Sequence, residues 1–245
     1  KSKAEIVVMK EVGFIAAEIL AQITEKVRPD VDVWELDNFA QQLCKKGGVA
    51  PAFLGYMGFP SALCVSIDDE VVHGIPTKGR ILRDGSLLSL DFGIRARGFY
   101  ADLAVTVAVG KVSELATNLM EVTKRSLHSG IQQACVGNRL FDISSAVQNV
   151  VESNGFSVVR DFVGHGIGRN LHEDPQVPNF GPKGKGIELK SGLVIAIEPM
   201  VAAGGFEVRV KSDGWTAVTS DGSLAAHFEH TIAVTDNGPI ILTAI

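Results

Sequence analysis

The segment Leu82-Arg83-Asp84-Gly85-Ser86-Leu87-Leu88-Ser89-Leu90-Asp91 returns 107 residues later as Leu189-Lys190-Ser191-Gly192-Leu193-Val194-Ile195-Ala196-Ile197-Glu198. Each copy ends an apolar run on an acid. Upstream, the same offset relates Trp34, Glu35, Leu36, Ala40, Leu43 and Gly48 to Phe141, Asp142, Ile143, Val147, Val150 and Gly155. The chain therefore reads as two copies of one unit, each aiming a carboxylate at a shared place. A carboxylate left unpaired in an apolar interior is costly, so it takes up a proton, finds a cation or binds a metal. Which of these happens decides the function.

A duplication of this length predicts one domain over residues 1–245, with halves of about 1–110 and 111–245. A hydrophobic content of 46% and a charged content of 21% fit an ordinary globular protein. The net charge of −5 and the lack of a Lys/Arg cluster argue against nucleic acid as a partner. Every apolar run is far shorter than the ~20 residues a membrane helix needs, so no membrane partner is expected. Three cysteines, Cys44, Cys64 and Cys135, lack C-x-x-C spacing. That suits a reducing cytoplasm and excludes a disulfide framework or a cysteine zinc site. Lys1 is expected not to be the native start.

Ser2 and Glu5 form a capping-box pattern for a helix over about 2–27, which Pro29 stops. A second helix is expected from Asp32 to Gly47-Gly48, and a Gly-punctuated aromatic loop over 51–60. Strand signals follow at 62–67, 71–75, 87–95 and 99–109. The second half repeats the order, with helices near 114–134 and 140–153 and strands at 157–163, 193–202, 206–211 and 228–234. Each unit is two helices and then a strand pair, an α+β architecture with a mostly antiparallel sheet.

Asp91 and Asp102 flank a chain reversal near Ala96-Arg97-Gly98. A two- or four-residue loop in which residues summing to 193 face each other would make them a direct cross-strand pair, ~5 Å apart at Cα. A three-residue loop with a bulge at Gly98 would shift the register by one. No Lys or Arg shares their strand faces, Arg95 and Arg97 belonging to the turn. On this pair alone, two acids sharing a proton, or reaching a distant Arg, explain the pattern as well as a metal does.

The second half adds Glu198 and Glu229, again at the end and the start of strands. Their separation exceeds that of Asp91 and Asp102 by 20 residues, which reads as an insertion around 203–222. Four acids from two pseudo-symmetric hairpins are hard to explain as solvated edges. His165, in Gly164-His165-Gly166-Ile167-Gly168-Arg169, is the imidazole that suits them, because its flanking glycines let the backbone approach a ligand. Four carboxylates and one histidine make a hard, oxygen-rich donor set. It suits two divalent ions (Mn, Fe, Co or Zn) ~3.5–4 Å apart better than a thiolate zinc site.

Asp91, Asp102, His165, Glu198 and Glu229, in this order, resemble the five metal ligands of the type I (bacterial-type) methionine aminopeptidases. The likeness extends to GHGIGR (164–169), HEDPQVPN (172–179), AIEPMV (196–201), DGWT (213–216) and FEHTIAVT (228–235), and covers essentially the whole chain. It implies the "pita-bread" fold of the creatinase/aminopeptidase family. It also implies removal of the initiator methionine from nascent chains whose second residue is small. By resemblance, His165 and Glu198 hold one ion, Asp91 the other, and Asp102 and Glu229 bridge them. A water bridging the ions would attack the first peptide bond, with Glu198 as general base. His172 is similar to the family histidine that stabilises the oxyanion, and His73 to the one that contacts the scissile amide.

The family's methionine pocket falls here on Tyr56, Phe59, Cys64, Leu171 and Trp215; aromatics in a Gly-rich loop serve a core equally well. The resemblance also implies a monovalent cation held by backbone oxygens near Ser66–Glu70, a monomer, and a transient contact with the ribosome. Two rival readings remain. One is a prolidase or Xaa-Pro aminopeptidase on the same fold. The other is a binding protein that has lost catalysis, against which stands the presence of all five ligands.

Overall fold

In the computed structural model, which describes residues 1–245, helix α1 (Lys3–Thr24) begins at the expected capping box. The Ser2 side chain accepts from the Glu5 amide and the Glu5 carboxylate from the Ser2 amide. The helix closes a turn earlier than Pro29 requires, passing into tighter turns at Lys26 and Val27. Helix α2 (Val33–Gly47) is capped by the Asp32 side chain at one end and by Gly48, at φ +64°, at the other. Helices α3 (Glu114–Gln133) and α4 (Leu140–Ser153) open the second half as expected.

Strand Leu87–Ala96 shows how the sequence sets the layers. Leu88, Leu90, Phe92 and Ile94 are fully buried against α1 and α2. Each such side chain contributes roughly 1.5–3 kcal/mol by leaving water. Alternation along the strand then turns Asp91 to the opposite face. In the second half Ile195, Ile197, Ile232 and Val234 pack with residues of α3 and α4, and alternation turns Glu229 the same way as Asp91. The helices thus back a nine-stranded sheet and the acids project from its front.

All the strand pairings are antiparallel. The two halves meet where Phe99–Ala108 pairs with Glu229–Thr235, through Glu229↔Ala104 and His230↔Leu103. The Thr231 hydroxyl reinforces this seam, accepting from the Asp102 amide at 3.1 Å and donating to its carbonyl at 2.8 Å.

Three expected strands differ. The 157–163 strand is paired only at Ser157–Val158 before Gly164–Gly166 joins the main sheet. The 193–202 strand breaks into Val194–Ile197 and Met200–Ala202, because Pro199 has no N–H for a ladder. The segment read as an insertion forms a hairpin, Val208–Val210 and Ala217–Thr219, which adds to Glu70–Val72 as a small sheet. Glu173–Val177, Ala225–His227 and Gly238–Ile241 are further short strands.

Candidate metal and peptide site

The hairpin register corrects the expected pairing of Asp91 with Asp102. Arg97 (φ +52°) and Gly98 (φ +81°) form a two-residue turn with positive φ at both positions, the geometry that matches strand twist. Centred there, the turn sets Asp91 opposite Ala104 and Asp102 opposite Gly93. The two acids are diagonal neighbours on one face rather than a direct pair. Asp91, Ala104 and Glu229 form one row across three strands. Glu198 follows Ile197, which pairs with His230, so it ends in the same row. Four acids from both halves therefore meet on one face.

His165 joins them from Gly164–Gly166. Its Nδ1 lies 2.9 Å from the Gly166 carbonyl, which can only accept, so Nδ1 carries the hydrogen and Nε2 presents its lone pair. That Nε2 is 3.6 Å from Glu198 Oε1 and 4.0 Å from Asp102 Oδ2. The flanking glycines are required by strand packing. A Cβ at Gly164 would stand 2.4 Å from the Ala196 carbonyl oxygen, and one at Gly166 would stand 2.2 Å from that of Asp174.

The four acids are in electrostatic conflict. Burial drives Asp91 well above the ordinary carboxylate range, with Asp102 adding repulsion. Burial raises Asp102 to about 7. Glu198 and Glu229 are raised well above their usual value by burial and then by the neighbouring acids. No Lys or Arg is among the residues lining the cavity they share. Asp91 Oδ1, Asp102 Oδ1 and Glu229 Oε1 are buried without a hydrogen-bond partner. The donor atoms of Asp102, His165 and Glu229 lie within 4.8 Å of one another, as do those of Glu198, His227 and Glu229. Orphaned carboxylate oxygens grouped at that spacing around a lone-pair nitrogen fit divalent cations.

All twelve residues singled out from the sequence line one cavity of about 180 Å³. Phe53 and Met57 line it too and were missed; each sits in an apolar loop with no spacing signal of its own. Cys64 pairs across the sheet with Asp91, and burial raises its thiol well above the usual value. Phe59 packs edge-on against Trp215, as does His73 against Phe162. His172 Nδ1 is 2.8 Å from the Tyr56 hydroxyl, and its ring stands edge-on to His165 with centroids 4.3 Å apart. Burial lowers His172, and it brings His165 and His73 down to about 4, so all three are neutral at pH 7. A wider trough of about 760 Å³ opens from the cavity and shares His73, His165, His172 and Glu198 with it.

His227 was not anticipated. Its side chain is 1% exposed, and its Nε2 lies 3.8 Å from Glu198 Oε2. Within Ala226-His227-Phe228-Glu229-His230, nothing in the spacing sets it apart from an ordinary core histidine.

The sequence pattern of metallopeptidase family M24 matches residues 8–236. The methionine aminopeptidase of Clostridium perfringens is 50% identical over the whole chain and 98% of the relative's length. Methionine aminopeptidase 1 of Bacillus subtilis is 47% identical, with the same coverage. Among solved structures, the methionine aminopeptidase of Thermotoga maritima superposes with a TM-score of 0.98 at 46% identity, covering all of this chain and 98% of that one. A Pyrococcus horikoshii prolidase shares the fold at a TM-score of 0.80 and 22% identity, this chain covering 63% of its length.

Proposed function

The chain belongs to metallopeptidase family M24 and, within it, to the bacterial-type methionine aminopeptidases of the pita-bread fold, and from that premise we propose how its residues divide the work. The activity is metal-dependent removal of an N-terminal methionine. The observation that carries the assignment of roles is the meeting of four carboxylates from both halves on one face, in a cavity lined by no Lys or Arg.

His165 and Glu198 would hold one divalent ion, Asp91 the other, and Asp102 and Glu229 would bridge the two. Bound there, the ions would lower the pKa of a shared water and polarise the scissile carbonyl. Glu198 is the proton acceptor of this scheme, at hand beside His165. With the Tyr56 hydroxyl donating to Nδ1, His172 keeps its proton on Nε2, as a donor to the developing oxyanion. His73, held at φ +60° between Phe162 and Trp215, is the proposed contact for the scissile amide. Tyr56, Phe59, Cys64, Leu171 and Trp215 make the apolar wall for the methionine side chain. The proposed preference for a short second residue is the rule the family resemblance implies, longer side chains being excluded sterically.

The ions would be Co, Mn, Fe or Zn, a range set by the oxygen-rich donors. A monovalent cation on the carbonyls of Ser66–Glu70 would leave the local acids in place. Asp68 is committed to Ser86 and Leu87, and Glu70 to Arg80 and Lys211. The nine-stranded sheet through both halves supports residues 1–245 as one catalytic domain. The proposed setting is the cytoplasm, for which the three free cysteines speak. There the chain would act as a monomer on nascent N-termini, with a transient ribosome contact. No helix is long and apolar enough to cross a membrane.

The test is a metal-dependent cleavage panel. Met-Ala-Ser should be cut after metal addition, and Met-Leu-Ser and Ala-Pro peptides left intact. Exclusive cleavage of the Ala-Pro substrate would overturn the reading.

A further inference from the structure

His227 has no role in the scheme above, yet both of its ring nitrogens are buried without a partner. Buried polar groups in native proteins are paired, so an orphaned imidazole facing a functional carboxylate calls for an explanation. The two oxygens of Glu198 are divided between two histidines. Oε1 faces His165 at 3.6 Å, and Oε2 faces His227 Nε2 at 3.8 Å. The His227 backbone is clamped in turn. Its amide donates to Thr106 Oγ1 and its carbonyl accepts from the same hydroxyl, both at 2.8 Å. The Ser89 hydroxyl lies 2.8 Å from Thr106 Oγ1 and supplies that oxygen with a further hydrogen bond.

The group of Glu198, His227 and Glu229 has the spacing of a metal site in its own right. Charge argues against a separate ion there. Asp91, Asp102, Glu198 and Glu229 supply four negative charges, which two divalent ions already balance. A third ion would share two spent carboxylates with its neighbours and add only a neutral imidazole.

We propose that His227 is a positioning residue, whose Nε2–H donates to the Glu198 oxygen turned away from His165. The contact is about 1 Å longer than a hydrogen bond, within reach of a small side-chain adjustment. The bond selects which Glu198 oxygen faces the metal and fixes the carboxylate's rotamer. It is a tie from outside the ligand set, of the kind that orients ligands in metal sites. The inference rests on the assignment of Glu198 as a ligand and base.

The test compares wild type with His227→Gln, His227→Asn and His227→Leu, each checked for native far-UV circular dichroism. Gln keeps a donor at similar reach, Asn has one that falls short, and Leu has none. Calorimetric Co(II) titration and the visible spectrum of the Co(II) protein are read beside kcat and KM on Met-Ala-Ser. Expected is first-ion affinity weakened ~10–100-fold in the Asn and Leu variants, with an altered Co(II) spectrum. Their kcat should fall while KM holds, and Gln should restore all three readouts. Unchanged affinity and spectrum in Asn and Leu would overturn the proposal, as would a Gln variant as impaired as Asn. If Leu does not fold, the Gln–Asn comparison decides. A wild-type chain that binds no divalent ion would instead sink the functional assignment beneath it.

Discussion

Glu198 carries the heaviest demand on any single side chain in the proposed scheme: buried beside three other acids, it is asked both to hold an ion and to accept a proton. Glu198→Gln keeps the shape and removes the base, so kcat on Met-Ala-Ser should fall by about 10²–10⁴-fold. Near-full turnover in a stopped assay would refute the assignment. Asp102→Ala removes a proposed bridge, and metal analysis of the purified variant should give fewer than two ions per chain. Retention of both would end the bridging role. At this scale the five proposed ligands were legible as a group because chain order and neighbours mark them, and the fold brings them to one cavity. His227 was not, because burial and the approach of its Nε2 to Glu198 come from the pairing of Met200–Ala202 with Ala225–His227, which has no local signature.

Elements were legible wherever the sequence supplies a boundary. Ser2 with Glu5, and Asp32 with Gly48, announce α1 and α2 through caps that the folded chain uses. Three-residue strands such as Gly164–Gly166 and Ala225–His227 carry no period to read. Register failed for a related reason. Turn geometry sets it, and the need for positive φ at both Arg97 and Gly98 moved the centre of the hairpin. The strand holding His165 also depends on close approach. Gly166→Ala would drive a methyl into the Asp174 carbonyl oxygen, a backbone atom that cannot step aside cheaply. A loss of about 1–3 kcal/mol is expected, read as a Tm lower by several degrees, together with weaker Co(II) binding as His165 shifts. A variant with wild-type Tm and metal affinity would show that the strand yields more readily than its packing indicates.

For the molecule as a whole, the buried acids couple metal, pH and stability. From about pH 7 upward histidines are mostly neutral in the unfolded chain, and those of the site are already neutral when folded. The carboxylates then dominate the change in charge on folding. Their raised folded values mean that the metal-free native state holds more protons than the unfolded chain. Its stability therefore falls as pH climbs through the Asp102 value of about 7, and the raised values of the other three acids act in the same direction. Scanning calorimetry of chelator-treated protein should give a Tm that declines between about pH 7 and 8, and saturating Mn(II) or Co(II) should remove most of that decline. A metal-free Tm that rises over the interval would contradict the electrostatic account. The two-fold plan behind this coupling was visible in the repeated segment. Which residues stand opposite the acids became visible only with both hairpins folded against their helices.

The seam at Ala104 and Glu229 has a consequence for inheritance of function by fragments. Neither polypeptide obtained by cutting near Lys111 owns a complete set of donors, so each alone should be catalytically silent. Hydrolysis would be an emergent property of reassociation, returning only when the pieces are mixed and supplied with cations.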